Sequence, residues 1–186
     1  MTMQGTDWGE SLSRPSRVLP NLAMVLGAWV LLLTIVNITI GAYSPGFKVM
    51  WIGFISGDSA ASNVPHEGSG VVMDDMVFAL LGVVLLVLGS MGMKKLFDGG
   101  VMEWFGGLSS GPVASSLLSS ENGIRRTMAS WMVVIGVMFY IVWSFMNTTW
   151  VDPGVYAVMV ILVSFGVGIH TLEAVSYTHL TLPTKA

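Results

Sequence analysis

The chain has 186 residues, of which 53% are hydrophobic and 10% charged, and its formal net charge is −3 at pH 7. Soluble domains carry about 25% charged residues and disordered chains have low hydrophobicity, so the composition excludes both classes and indicates an integral membrane protein. The chain has no cysteine, which excludes disulfides and thiolate metal sites within it. The sequence also lacks a basic patch interleaved with aromatic residues, so we predict no nucleic-acid partner.

The first predicted element is a spanning helix over 20-43, which follows a polar N-terminal segment, 1-17. The uncharged run 22-43 covers roughly 33 Å at about 1.5 Å per residue, enough for the hydrocarbon core. Three polar residues stand in the second half of this helix: Thr34, Asn37 and Thr39. They predict hydrogen bonds to other helices, each with a modest contribution; the alternative is a polar stripe that lines a path.

The connection after this helix, 44-73, is predicted to be an outer loop. Its apolar stretch 47-55 is too short to span the membrane. The stretch indicates a segment in the membrane interface, with Trp51 and Phe54 at headgroup level.

A histidine and three acidic residues precede or open the second predicted helix, 74-97. They are His66, Glu67, Asp74 and Asp75. Such a set can hold a divalent metal, but its spacing matches no ligand pattern. A solvated loop, with acidic residues at a helix N-terminus, explains the same residues, and we prefer it to the metal site.

The second helix and the loop that follows it both contain many small residues. Gly82, Gly89 and Gly92 leave surfaces that allow another helix to approach closely. The Gly- and Ser-rich segment 98-123 predicts a cytoplasmic loop on the membrane surface, where Trp104 and its neighbours dip into the interface. A short helix over 112-119 fits within this loop.

Two further apolar runs predict a helical hairpin over 124-150 and 153-174. The link between the runs is so short that the two helices must lie side by side and antiparallel. Asp152 is the predicted N-cap of the last helix, and Pro153 is suited to its first position. The aromatic residues of 124-150 indicate packing and an outer aromatic belt.

His170 and Glu173 are ionisable residues within a predicted span, near its end. Such residues are a functional-site hypothesis, and their spacing puts both on one helical face, as a candidate catalytic acid–base pair, proton relay or metal site. The other interpretation is a helix end at the cytoplasmic edge, where both residues reach water or pair with each other and with Arg125 or Arg126. Because His170 is the sole histidine in a span, a haem with two histidine ligands from this chain is not expected, and we predict no cofactor.

The tail of the sequence, 175-186, is predicted to differ in origin from the rest. The stretch 175-184 resembles the translation, in one reading frame, of a transposase adapter used to prepare sequencing libraries. The resemblance implies a non-native tail over 175-186, a natural chain truncated near Ala174 and a prokaryotic source. The alternative is a natural polar tail after the last helix.

Positive charges predict the orientation of this all-α, four-helix transmembrane domain, 18-174. Six basic residues fall on one side of an up-down bundle: Arg14, Arg17, Lys94, Lys95, Arg125 and Arg126. The opposite side has only Lys48. The positive-inside rule therefore predicts a cytoplasmic N-terminus and a multi-pass protein of the cell membrane.

Three function classes are compatible with these features, and no family resemblance selects among them. The first is an accessory or structural subunit of a membrane complex, with the lipid bilayer and other membrane helices as partners. The second is a transporter or channel protomer that acts as an oligomer and needs the polar residues of the first and fourth helices (Thr34, Asn37, His170, Glu173) to face one another. The third is a membrane-bound redox or lipid-modifying enzyme that uses His170 and Glu173.

Overall fold

The structure is a computed structural model that describes residues 17–56, 63–65, 71, 73–119, 121 and 123–180. It is mostly helical. In chain order its elements are α1 (Val18–Thr39), β1 (Phe47–Val49), α2 (Trp51–Ser56), β2 (Asn63–Pro65), α3 (Met73–Leu96), α4 (Gly100–Ser110), α5 (Pro112–Leu117), α6 (Ile124–Asn147) and α7 (Pro153–Leu180). Four of them, α1, α3, α6 and α7, are long and apolar enough to cross a membrane, which confirms the predicted number of such helices.

The long helices differ from the predictions mainly at their C-terminal ends. α1 ends at Thr39 rather than at 43, and Gly41 (φ +86°) turns the chain toward β1. α6 ends three residues before 150, where Thr148 takes a left-handed conformation (φ 48°). α7 continues to Leu180, past the predicted end at 174, because no glycine or proline falls in its last turns.

α1 and α3 form an antiparallel pair that packs tightly through glycine. A Cβ atom at Gly27 would lie 2.9 Å from the carbonyl oxygen of Gly82, and one at Gly89 would lie 2.8 Å from Cγ of Met24. Real Cβ atoms do not approach so closely, so only glycine allows these two helices to come this near. The predicted close-approach role of the α3 glycines is confirmed.

α6 and α7 form a second antiparallel pair, and the two ends of the four long helices differ in charge. The basic end carries Arg17, Lys94, Lys95, Arg125 and Arg126, and the acidic end carries Asp74, Asp75 and Asp152. At the acidic end β1 and β2 form a two-stranded antiparallel sheet, with Lys48 opposite Val64.

The hydrophobic core lies toward the acidic end, where the two helix pairs meet. The backbone N–H of Trp150 donates to the carbonyl of Ala42 at 2.9 Å, which links the α6–α7 turn to the α1–β1 turn. The rings of Trp29 and Tyr140 meet edge to face, 4.6 Å apart. These contacts join one helix pair to the other.

The prediction of a loop over 98-123 is wrong for most of that segment, because α4 and α5 occupy it. α4 is held by the indole N–H of Trp104, which donates to the side-chain oxygen of Asn21 on α1 at 2.6 Å. α5 packs on α6 and confirms the short helix expected in 112-119. Tertiary contacts thus stabilise helices in a Gly- and Ser-rich sequence that has weak intrinsic helix propensity.

Candidate functional site

His170 is positioned by the close packing of α6 and α7. A Cβ atom at Gly166 would lie 2.6 Å from the carbonyl oxygen of Ala129, so the two helices touch at this point. One turn further along α7, His170 therefore reaches Ser130, and its Nε2 lies 2.9 Å from the Ser130 Oγ. The imidazole is half-buried, and the serine is fully buried.

Glu173 has a different partner at the basic end. Its carboxylate lies 3.9 Å from a guanidinium nitrogen of Arg125, whose side chain is 81% exposed. This distance exceeds a hydrogen bond, and such exposed pairs contribute little to stability. The predicted pairing of Glu173 with Arg125 is thus present in the structure. His170 and Glu173 form no hydrogen bond with each other, since His170 bonds to Ser130.

The geometry around His170 limits the chemistry that it can perform. A serine and a histidine within hydrogen-bond distance resemble a nucleophile and its base. However, Ser130 is fully buried between two packed helices, so a substrate would reach its hydroxyl only if the helices separated. The arrangement acts in the first place as a hydrogen bond between α6 and α7.

A second polar cluster lies at the acidic end, and Asn37 is its centre. The Asn37 amide nitrogen donates to the Asp75 carboxylate at 2.7 Å and to the Val49 carbonyl at 2.9 Å. Its oxygen accepts from the backbone N–H of Val49 at 2.7 Å and of Ala42 at 3.1 Å. One fully buried amide thus makes four hydrogen bonds that join α1, β1 and α3. We call Asn37, Trp51, Asp74 and Asp75 the acidic-end cluster.

Trp51 belongs to this cluster, and its side chain is turned into the fold. Its indole N–H donates to Asp75 at 3.0 Å, and its ring stacks on Phe78 with a centroid distance of 4.0 Å. The side chain is 3% exposed. A buried carboxylate needs donors, and the tryptophan supplies one from inside the fold.

Two of the four candidate metal ligands are described by the structure and two are not. His66 and Glu67 lie outside the described residues. Asp74 accepts the backbone N–H of Ile52 at 3.0 Å, and Asp75 accepts the donors named above. Within the described ranges, no three His, Cys, Asp or Glu residues are grouped so that they could hold a metal ion.

Two tyrosines form a further buried polar site that the sequence analysis did not single out. The hydroxyls of Tyr140 and Tyr156 both donate to the backbone carbonyl of Trp150, each at 2.7 Å. Their rings stack with a centroid distance of 5.3 Å. The available signal was the presence of two tyrosines in apolar helices, because a buried hydroxyl requires a partner.

Comparisons with protein-family models, with curated proteins and with solved structures found no match.

Proposed function

We propose that this chain is an integral membrane protein that serves as an accessory or structural subunit of a larger membrane complex. The observation that carries the proposal is the way its polar side chains within the long helices are used. Asn37 bonds within the acidic-end cluster, Thr34 bonds to the carbonyl of Val30 on its own helix, and His170 bonds to Ser130. Polar groups used in this way support assembly more than transport or catalysis.

Exposed apolar surface is the second support for the proposal. α3 and α7 bury few of their residues within this chain, and large side chains such as Leu80 and Phe165 are more than 60% exposed. In a bilayer this surface contacts lipid or the helices of a partner.

The orientation that we propose follows from charge. The basic end lies in the cytoplasm, with the N-terminus, and both hairpin turns at the acidic end lie outside. Because the chain has no cysteine, single cysteines can test this orientation. Two exposed serines at opposite ends can be replaced, Ser56 at the acidic end and Ser109 at the basic end. A membrane-impermeant maleimide should label Ser56→Cys in intact cells, and it should label Ser109→Cys only after permeabilisation. The reverse pattern would contradict the orientation.

A transporter or channel protomer requires polar residues of α1 and α7 to face one another. Asn37 bonds to Asp75 at the acidic end, and His170 bonds to Ser130 at the basic end. The two residues therefore lie near opposite ends of the long helices and do not face one another, which does not favour a transporter or channel.

The subunit role is tested by purification in a mild detergent after co-expression with the neighbouring genes, followed by identification of the co-eluting chains. We expect a stoichiometric partner that is retained when His170 and Glu173 are both replaced by alanine. Purification of the chain without any partner would contradict the proposal. Loss of a transport or enzymatic activity in this variant, at normal expression, would also contradict it.

A further inference from the structure

A groove of about 570 Å³ opens between α6 and α7 at the basic end. Its mouth is formed by Arg125 and Glu173, and its walls by the apolar side chains of Met128, Met132, Ile169 and Leu172. The charged pair belongs to the first turn of α6 and to the neighbouring part of α7, and Met132 lies roughly 10 Å further along α6. The groove is therefore charged at its entrance and apolar along its length.

The apolar part continues along α7. A second groove of about 280 Å³ shares Ile169 and Leu172 with the first and extends to Ser164 and Phe165. From Glu173 to Ser164 the helix rises roughly 14 Å, which is about one leaflet of a hydrocarbon core that is ~30 Å thick. A cavity with this length and polarity fits an acyl chain below a polar headgroup.

Gly168 forms part of the floor of the second groove. A Cβ atom at this glycine would meet no other atom within 4 Å, in contrast to Gly166, which contacts α6. The groove therefore has room for a ligand on this side of α7, and a larger side chain at 168 would fill it without disturbing the helix pair.

The charges at the mouth select the headgroup. Arg125 offers a guanidinium to a phosphate, and Glu173 offers a carboxylate to an ammonium. Their separation of 3.9 Å leaves both groups without a direct hydrogen bond to each other. A quaternary choline has no N–H to donate and is recognised by aromatic rings, and none of the six residues that line this first groove is aromatic.

We propose that this groove binds one phospholipid of the leaflet at the basic end, with a headgroup that carries a phosphate and a primary ammonium, as in phosphatidylethanolamine. The phosphate lies against Arg125, the ammonium against Glu173 and one acyl chain along Ile169 and Gly168. This site goes beyond the proposed subunit role; it rests only on the membrane insertion proposed above.

Native mass spectrometry of the full chain in detergent tests the site, with added dioleoyl phosphatidylethanolamine, phosphatidylcholine and phosphatidylglycerol. We expect the ethanolamine lipid to bind about tenfold more tightly than the other two, since one charge-assisted hydrogen bond corresponds to at least this factor. Arg125→Gln should weaken its binding about tenfold. Gly168→Leu should weaken the binding of all three lipids.

Two matched variants serve as controls. Lys95→Gln removes an exposed charge at the same end, outside the groove, and Gly107→Leu adds the same side chain at another open position, on α4; neither should change lipid binding. Equal binding by groove and control variants would overturn the proposal, as would tighter Arg125-dependent binding of phosphatidylglycerol. Dimerisation that Gly168→Leu abolishes while lipid binding is unchanged would assign the groove to a second copy and would also overturn it. Absence of the chain from the membrane fraction would contradict membrane insertion itself.

Discussion

Replacing Asn37 with alanine would test whether a single amide holds the acidic end together. The variant leaves the buried N–H groups of Val49 and Ala42 without their acceptor, and it removes a donor from Asp75. Each buried polar group left unsatisfied costs about 1–3 kcal/mol. Water can enter the space of the lost amide, so we expect the free energy of unfolding to fall by about 3 kcal/mol.

This magnitude separates two roles for Asn37. An ordinary hydrogen bond between membrane helices contributes about 0.6 kcal/mol on average, so a loss of about 3 kcal/mol indicates that Asn37 organises the turn and β1 as well as the helix contact. Equilibrium unfolding in mixed dodecyl maltoside and dodecyl sulfate micelles, followed by far-UV circular dichroism, measures the difference.

Thr39→Ala is the matched control for this experiment. The Thr39 hydroxyl is on the same helix but donates to the carbonyl of Ile35, and the residue is exposed. We expect its loss to change the free energy of unfolding by less than about 0.5 kcal/mol. If Asn37→Ala were no more harmful than Thr39→Ala, the central role of the amide would be refuted. Asn37→Asp would add a carboxylate next to Asp75 and should be at least as harmful as alanine, since like charges repel.

Four further substitutions have expected effects in the same unfolding assay. Gly166→Ala should destabilise the α6–α7 pair by about 1–3 kcal/mol, because its Cβ atom would meet α6 at 2.6 Å. Gly168→Ala should be neutral or slightly stabilising, since its Cβ atom would meet no other atom within 4 Å. Equal effects of the two substitutions would contradict the packing. Asp152→Ala should cost about 1 kcal/mol, since the carboxylate accepts the N–H groups of Gly154 and Val155 at 2.8 and 3.0 Å, and no loss would exclude a cap. Tyr140→Phe should also cost about 1 kcal/mol through its buried hydroxyl, and an unchanged midpoint would mean that this hydrogen bond is dispensable.

The two candidate sites differ in what a change would do to the molecule. His170 and Ser130 join two neighbouring helices, so their loss affects one helix pair. The acidic-end cluster joins α1, α3 and the β1 turn, so its loss affects the part of the fold where the two helix pairs meet. The subunit role proposed above depends on the second kind of contact, because a structural subunit has to keep its shape for its partner.

The number and approximate position of the long helices could be predicted from the sequence, because length and apolarity are local properties of each segment. The glycines of α3 also indicated close packing in advance, since the absence of a side chain has the same consequence against any neighbouring helix. Asp152 and Pro153 predicted the start of α7 for a similar reason, because capping involves only adjacent residues.

Only the tertiary structure decided which polar groups meet. Asn37 and Asp75 are 38 residues apart, and nothing local to either residue selects the other as its partner. Trp51 was predicted at headgroup level from its amphipathic ring, and the structure adds that its indole N–H donates to the buried Asp75 carboxylate. Likewise α4 is held against α1 by the bond from Trp104 to Asn21, a contact that a Gly- and Ser-rich segment cannot reveal by its own composition.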